Sequence, residues 1–309
     1  MLNYPFELVR YDRDTPLSEI KQLLSKRPYS IAGNPFAKDA RRFVPGKALE
    51  TAINTAIAVG EPLLITGEAG TGKTQAAYYA AYKLDIEPVI HFQVKSDSTA
   101  KDLLYHFDTV RYFHDAHFGK EGELDKKQYV EPSALWKAFT SEHPCVLLID
   151  EIDKAPRDFP NDLLHELDKM EFWVTETQEL VKASPAQRPI VFITSNSERR
   201  LPEPFLRRCV YHHIRFDDDL VRRAMEKRRE EYQTLGDKFL ELAKRRFLQL
   251  RDRNLRKKPA TGEFLVWLRV LALATDKEPR QLEEDLAKLP YLGVLLKDHQ
   301  DIEELEAGR

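Results

Sequence analysis

Residues 67–74 read Gly-Glu-Ala-Gly-Thr-Gly-Lys-Thr, the spacing GxxxxGK[ST]. Such a run can cradle phosphate. Glycines let backbone N–H groups curl around an anion, and a helix N-terminus adds partial positive charge. On this reading Gly67, Glu68, Ala69, Gly70, Thr71, Gly72, Lys73 and Thr74 bind a nucleotide. Lys73 reaches its β- and γ-phosphates, and the Thr74 hydroxyl ligates Mg²⁺. The flanks agree. The apolar stretch Pro62–Thr66 suits a buried strand, and Gln75–Tyr82 is rich in helix formers, so the loop lies between strand and helix as the motif requires.

Further along, Pro144–Ile149 is an apolar run ending in Asp150 and Glu151. In open α/β folds ligands bind beyond the carboxyl ends of the strands. There Asp150 would hold Mg²⁺ and Glu151 would polarise the attacking water as general base. A second apolar run, Pro189–Ile193, ends in Thr194-Ser195-Asn196. A neutral amide at Asn196 can hold the water or the γ-phosphate without the repulsion of an acid. Leu201–Cys209 then supplies Arg207 and Arg208, either of which could neutralise transition-state charge on a neighbouring subunit's nucleotide. Beside the apolar pair Phe205-Leu206, Arg208 has no evident partner in its own chain.

The elements that must position these residues follow from periodicity. Leu49, Ile53 and Ile57 recur at helical spacing in Lys47–Val59, which Gly60 ends. Strands are expected at Glu87–Val94, at the two runs above and at Val210–Phe216. Helices are expected over Pro132–Ser141, with Leu135, Trp136 and Phe139 inward, and over Asn161–Met170, with Leu163, Leu164 and Leu167. Phe172–Thr175 and Glu179–Val181 suit a small hairpin. Strands alternating with helices imply a parallel sheet. Asp102–Val130 carries Tyr105, Phe107, Tyr112, Phe113, Phe118 and Tyr129 among His114, His117 and glycines, and reads as an excursion from the core. Leu17–Leu24 is a candidate short helix with Thr15 as its cap. After Phe216 strand signals stop. Leu220–Leu250, Gly262–Ala274 (Phe264, Trp267, Leu268 and Leu271 on one face), Gln281–Leu289 and Leu292–Lys297 make an all-helical segment.

Composition narrows the class. The 48 basic and 51 acidic residues leave a net charge of −3, so bulk charge does not argue for nucleic acid. Within 222–258, however, 14 basic residues face 6 acidic ones, a local excess usual for a solvated helix face. No run is long and apolar enough for a membrane span, the N-terminus lacks a signal-peptide pattern, and two distant cysteines make no disulfide framework, so a cytoplasmic location is expected. His114 and His117 stand at i, i+3 with Asp115 between, a weak metal pattern; adjacent His212 and His213 would face opposite sides of a strand.

Taken in order, Gly67–Thr74, Asp150-Glu151, Asn196 and Leu-Pro-Glu-Pro-Phe-Leu-Arg-Arg before a helical tail resemble the AAA+ ATPases. Within them the chain resembles the MoxR group, closest to its CoxD-like and defence-associated branches. The match spans residues 43–275 and includes Phe43-Val44-Pro45 and the stretch Asp150–Asn161. The resemblance implies a P-loop AAA+ α/β core with a five-stranded parallel sheet, followed by a small all-helical lid domain. Boundaries are then 1–42 for an N-terminal extension, 43–216 for the nucleotide-binding domain with an insert at about 102–130, and 217–309 for the lid and tail. It also implies ATP and Mg²⁺ as cofactors, a role for Val44 in nucleotide binding, and Arg208 as the finger arginine with Arg207 its rival. The lid sensor arginine has no clean counterpart; Lys258 stands nearest. The family forms homo-hexameric or other rings that remodel a client protein, here with a von Willebrand factor A domain protein as partner. The competing readings are a nucleic-acid-associated motor or loader, supported only by the basic 222–258 run, and a non-hydrolysing nucleotide switch, which Glu151 and Arg208 oppose.

Overall fold

The computed structural model describes Ser18 and residues 35–118, 124–273 and 280–308. The expected helix at Leu17–Leu24 lies almost wholly outside the described residues. Two compact units are distinguished, Asp39–Arg215 and the remainder, with breaks between Lys38 and Asp39 and between Arg215 and Phe216.

The first unit carries nine strands, in chain order β1 (Leu63–Gly67), β2 (Val89–Gln93), β3 (Tyr105–Phe107), β4 (Val130–Pro132), β5 (Val146–Asp150), β6 (Glu171–Val174), β7 (Glu179–Lys182), β8 (Ile190–Ser195) and β9 (Val210–Ile214). Five form one parallel sheet in the order β2-β5-β8-β1-β9. β5 and β1 are buried along their whole length, as unbroken apolar runs between neighbours on both sides should be. β2 lies at an edge and is only half-buried. Register brings the carboxyl ends together: Gln93 pairs with Asp150, Ile149 with Ile193, and Thr66 with Ser195. The acids of β5 therefore lie level with Thr194 of β8.

The helix Lys47–Val59 forms as expected and ends on Gly60 in the left-handed region, φ 71°. Leu49 and Ile53 are buried, but Ile57 is exposed; Ala56 takes the inward position instead. The expected helix 161–170 is broken at Leu163 into Phe159–Asp162 and Leu164–Lys169. Leu163 and Leu167 enter the core, while Leu164 packs at its margin. β6 and β7 form the expected hairpin, with Trp173 opposite Leu180.

The excursion has a buried root and an exposed tip. Leu103, Leu104 and Tyr105 belong to the core, and Tyr129 is buried. β3 and β4 close the root as a two-stranded antiparallel ladder. Between them the helix Thr109–Phe118 buries none of its side chains. Residues 103–105 are thus core, and the projection starts only after β3.

In the second unit the helices Asp218–Lys227, Asp237–Arg251 and Thr261–Leu273 pack around Phe247, Phe264, Trp267, Leu268 and Leu271. The stretch expected to be helical over 220–250 is so, as two helices with a 3-10 turn at Arg229–Tyr232 between them. A last helix, His299–Glu306, is capped by Asp298, whose carboxylate accepts from the Gln300 and Asp301 amides.

Candidate active site

The P-loop conformation follows from its glycines. Gly67, Gly70 and Gly72 all have positive φ, at 149°, 73° and 92°. A side chain at Gly72 would collide with the Phe43 ring at 2.7 Å, so two constraints hold that glycine. The helix Lys73–Leu84 starts at Gly72 with no side-chain cap, leaving its first amides directed at the loop. Lys73 is buried, and its ammonium donates to the carbonyls of Gly67 (2.9 Å) and Glu68 (2.8 Å). Burial pulls its pKa down; Asp150, Asp153, Glu151 and Glu198 partly offset this.

Thr74 and Asp150 meet. The threonine hydroxyl lies 3.0 and 3.2 Å from the two carboxylate oxygens. Burial alone would raise the pKa of Asp150, but the nearby His91 imidazole and hydrogen bonds from Thr194 and Thr74 outweigh it and hold the carboxyl below its ordinary value. A buried carboxylate that stays ionised beside a hydroxyl is a hard oxygen donor set, which fits Mg²⁺.

Thr194 ties the two acids together. Its hydroxyl donates to Asp150 Oδ1 at 2.5 Å and accepts from the Glu151 amide at 2.8 Å. Glu151 itself sits in the left-handed region, φ 60°. Its Oε1 accepts from Asn196 Nδ2 at 3.0 Å, and its Oε2 from Gln93 Nε2 at 2.6 Å and from Lys154 Nζ. The backbone N–H of Asn196 in turn donates to the buried Asp153. Lys73, Thr74, Asp150, Glu151 and Asn196 therefore gather at the carboxyl ends of β1, β5 and β8.

Residues 62–209 match the AAA domain family, dynein-related subfamily. These residues are an AAA+ ATPase domain. The matched span is just under half of the chain. No curated protein sequence matches it. Among solved structures, a Cytophaga hutchinsonii protein described as a candidate ATPase is 13% identical, with 88% of this chain and 92% of that chain covered and a TM-score of 0.41. Brucella abortus NtrX in complex with ADP is 15% identical, covering 94% of this chain and 63% of that chain, TM-score 0.44. The same protein in complex with ATP is 18% identical, covering 87% of this chain and 55% of that one, TM-score 0.35. The chain thus spans less than two thirds of NtrX, and likenesses this loose carry nothing further.

The AAA+ domain places the remaining candidates as follows. Arg208 is not unpartnered in its own chain, as the sequence suggested. Its Nε donates to Asp168 Oδ2 at 2.6 Å and its Nη1 to the Pro204 carbonyl at 3.0 Å. It stays half-exposed, on the turn that follows the short helix Glu203–Leu206. Arg207 is exposed and makes no ion pair among the described residues. Val44 is half-buried; its neighbour Phe43 does the visible work, edge-on to Tyr79 with its ring against Gly72. Lys258 is exposed in the second unit. His114 and His117 turn their Nδ1 atoms to Asp115 and to the Phe113 carbonyl, and no metal-ligand cluster of His, Cys, Asp or Glu occurs among the described residues.

Phe43, His91, Gln93, Lys154 and Thr194 are the site residues that sequence reasoning missed or left without a role. The two cysteines are unbonded. Among the described residues no helix is long and apolar enough to cross a membrane.

Proposed function

We propose that the chain is a MoxR-type AAA+ ATPase whose Mg²⁺-dependent ATP hydrolysis at subunit interfaces drives remodelling or maturation of a partner protein. The observation that carries the catalytic part is the Glu151 carboxylate, held by Asn196 beside the Thr74–Asp150 pair and the P-loop. Lys73 exchanges its two carbonyl partners for phosphate oxygens. Thr74 and Asp150 are the residues that would hold Mg²⁺, which supplies charge neutralisation between the phosphates. Glu151 accepts the proton of the water that attacks the γ-phosphorus, as the bond to the β-bridging oxygen breaks. Three donors occupy Glu151 and its Oε1 accepts from Asn196 alone, which leaves that oxygen a lone pair for the water.

What supports a protein client is the projecting helix Thr109–Phe118, which leaves Val110 82%, Phe113 55% and Phe118 82% exposed. An apolar group of that kind marks an interaction surface. A von Willebrand factor A domain protein is the partner class we expect from the family resemblance, with a homo-hexameric or other ring as the active form and a cytoplasmic setting. A nucleic-acid motor has only the basic run in its favour, and part of that run is already paired: Arg222 and Arg223 with Asp219, Arg229 with Asp237, and Lys244 with Asp218 and Glu241. The test is a phosphate-release assay with and without DNA at low salt. Magnesium-dependent ATP turnover that DNA leaves unchanged supports the reading; turnover that depends on DNA overturns it.

A further inference from the structure

A partly buried chain of contacts runs from the P-loop helix to the candidate metal ligand. Tyr78 is buried, and its hydroxyl lies 3.1 Å from His91 Nδ1. His91 Nε2 in turn lies 3.3 Å from Asp150 Oδ2. Neither residue takes part in the chemistry set out above.

The local geometry makes this more than proximity. Tyr78 stands one helical turn beyond Thr74, so both hydroxyls lie on the same face of Lys73–Leu84. His91 and Gln93 stand two apart on β2 and therefore on one face of that strand. β2 runs beside β5, and the two side chains divide its acids between them, His91 facing Asp150 and Gln93 facing Glu151. The tautomer follows from the partners. An ionised Asp150 favours a proton on Nε2, which leaves Nδ1 to accept from the Tyr78 hydroxyl.

We infer that His91, oriented by Tyr78, is a positioning residue for Asp150. It occupies Oδ2 and so fixes the direction in which the carboxylate presents itself to Thr74 and to the cation. Thr194 performs the matching task at Oδ1. This rests on the reading of Thr74 and Asp150 as a magnesium–nucleotide site. Outer partners of a ligating group typically change metal affinity by about 10- to 100-fold when removed.

The experiment measures affinity for a fluorescent ADP analogue over a magnesium titration and in EDTA. It compares wild type, Tyr78→Phe, His91→Phe, His91→Gln and the double Phe variant. The half-saturating magnesium concentration should rise about tenfold in His91→Phe, and less in Tyr78→Phe, which removes a single oxygen. The double variant should be no worse than His91→Phe, and His91→Gln, which keeps a donor, should recover most of the loss. Affinity in EDTA should stay within about twofold, since outer partners act through the metal. An unchanged magnesium requirement in both Phe variants overturns the inference. So does an equal loss with and without metal, which would be a structural effect. A wild-type protein indifferent to magnesium would instead remove the metal-site reading on which the inference stands.

Discussion

Arg208 and Asp168 form an ion pair within one chain, Nε to Oδ2 at 2.6 Å, while the guanidinium stays 44% exposed. An arginine in such a pair is held ready rather than spent, because an exposed pair is worth only about 0.2–1 kcal/mol. In the proposed ring a neighbouring subunit's γ-phosphate would outcompete it. Arg208→Ala should then lower turnover by about 10³-fold or more, the range found for arginine fingers supplied in trans. Asp168→Ala should leave turnover largely intact. Mixing the Arg208→Ala and Lys73→Ala proteins should restore some activity, because an intact P-loop can meet an intact arginine across an interface. A dead mixture in demonstrably mixed rings would transfer the role to Arg207.

Lys73 and Glu151 should separate binding from hydrolysis. Lys73→Ala removes a charged hydrogen-bond donor from the phosphates, about 1.5–3 kcal/mol, and should weaken ATP binding at least tenfold. Glu151→Gln keeps the charge-independent contacts and should bind ATP nearly as wild type while turnover falls about 10²- to 10⁴-fold, the usual contribution of a general base. Titration with a fluorescent ATP analogue and a phosphate-release assay measure the two effects. Tight binding by Lys73→Ala would be incompatible with the assigned cradle.

Thr194 is a stability prediction as well. The hydroxyl is fully buried and serves both acids of β5. Thr194→Val keeps the shape but strands the Glu151 amide, and should cost about 1–3 kcal/mol. Thr194→Ser should recover most of it. Urea denaturation with the slope held constant checks both.

Alkaline pH should report on Cys209. Burial pushes this thiol from 9.0 to about 12, with Glu61 and Asp168 adding to the effect. Below pH 9.0 folded and unfolded chains both keep the proton, and the stabilisation is fully present. As pH rises from 9.0 toward 12 the unfolded chain releases a proton that the folded chain retains, so stability falls. The slope contributed is at most about 1.4 kcal/mol per pH unit. Cys209→Ala should flatten the decline, measured as urea midpoints at successive pH values from 8 to 10; an unchanged slope would show that other groups govern it.

The projecting helix should tolerate charge. Phe113→Asp combined with Phe118→Asp alters residues outside the core and should shift stability by no more than about 0.5 kcal/mol. Basal ATP turnover should stay at the wild-type level, while capture of the client from a lysate is lost. Tyr112 behaves differently, since its ring packs against Phe107 and the buried Tyr129. Tyr112→Asp should destabilise the root of the excursion.

The parts of the site legible in the sequence are those whose signal is local. Gly67–Thr74 is a contiguous motif, and Asp150-Glu151 and Asn196 mark the ends of apolar runs. Gln93, His91 and Phe43 were illegible because their contacts depend on strand order and on a ring crossing to Gly72, which no spacing rule encodes. The partner of Arg208 was missed for the same reason, Asp168 lying on a different element. In the fold, the break at Leu163 escaped a reading based on periodicity, because Leu163, Leu164 and Leu167 fit one helix equally well on paper. The helix His299–Glu306 could have been found from Asp298, a capping residue ahead of an amphipathic stretch.

The β6–β7 hairpin is fastened at three points, to the helix that leads into the excursion, to its root and to its return limb. Glu176 accepts from Tyr105 and from Lys101, both at 2.7 Å, and Glu179 pairs with Lys127 at 3.0 Å. Tyr105 is also core, stacked on Phe172 of the hairpin's own first strand. Mechanically, the hairpin and the excursion's root share the Tyr105–Phe172 stack, so a displacement of one is resisted by the other.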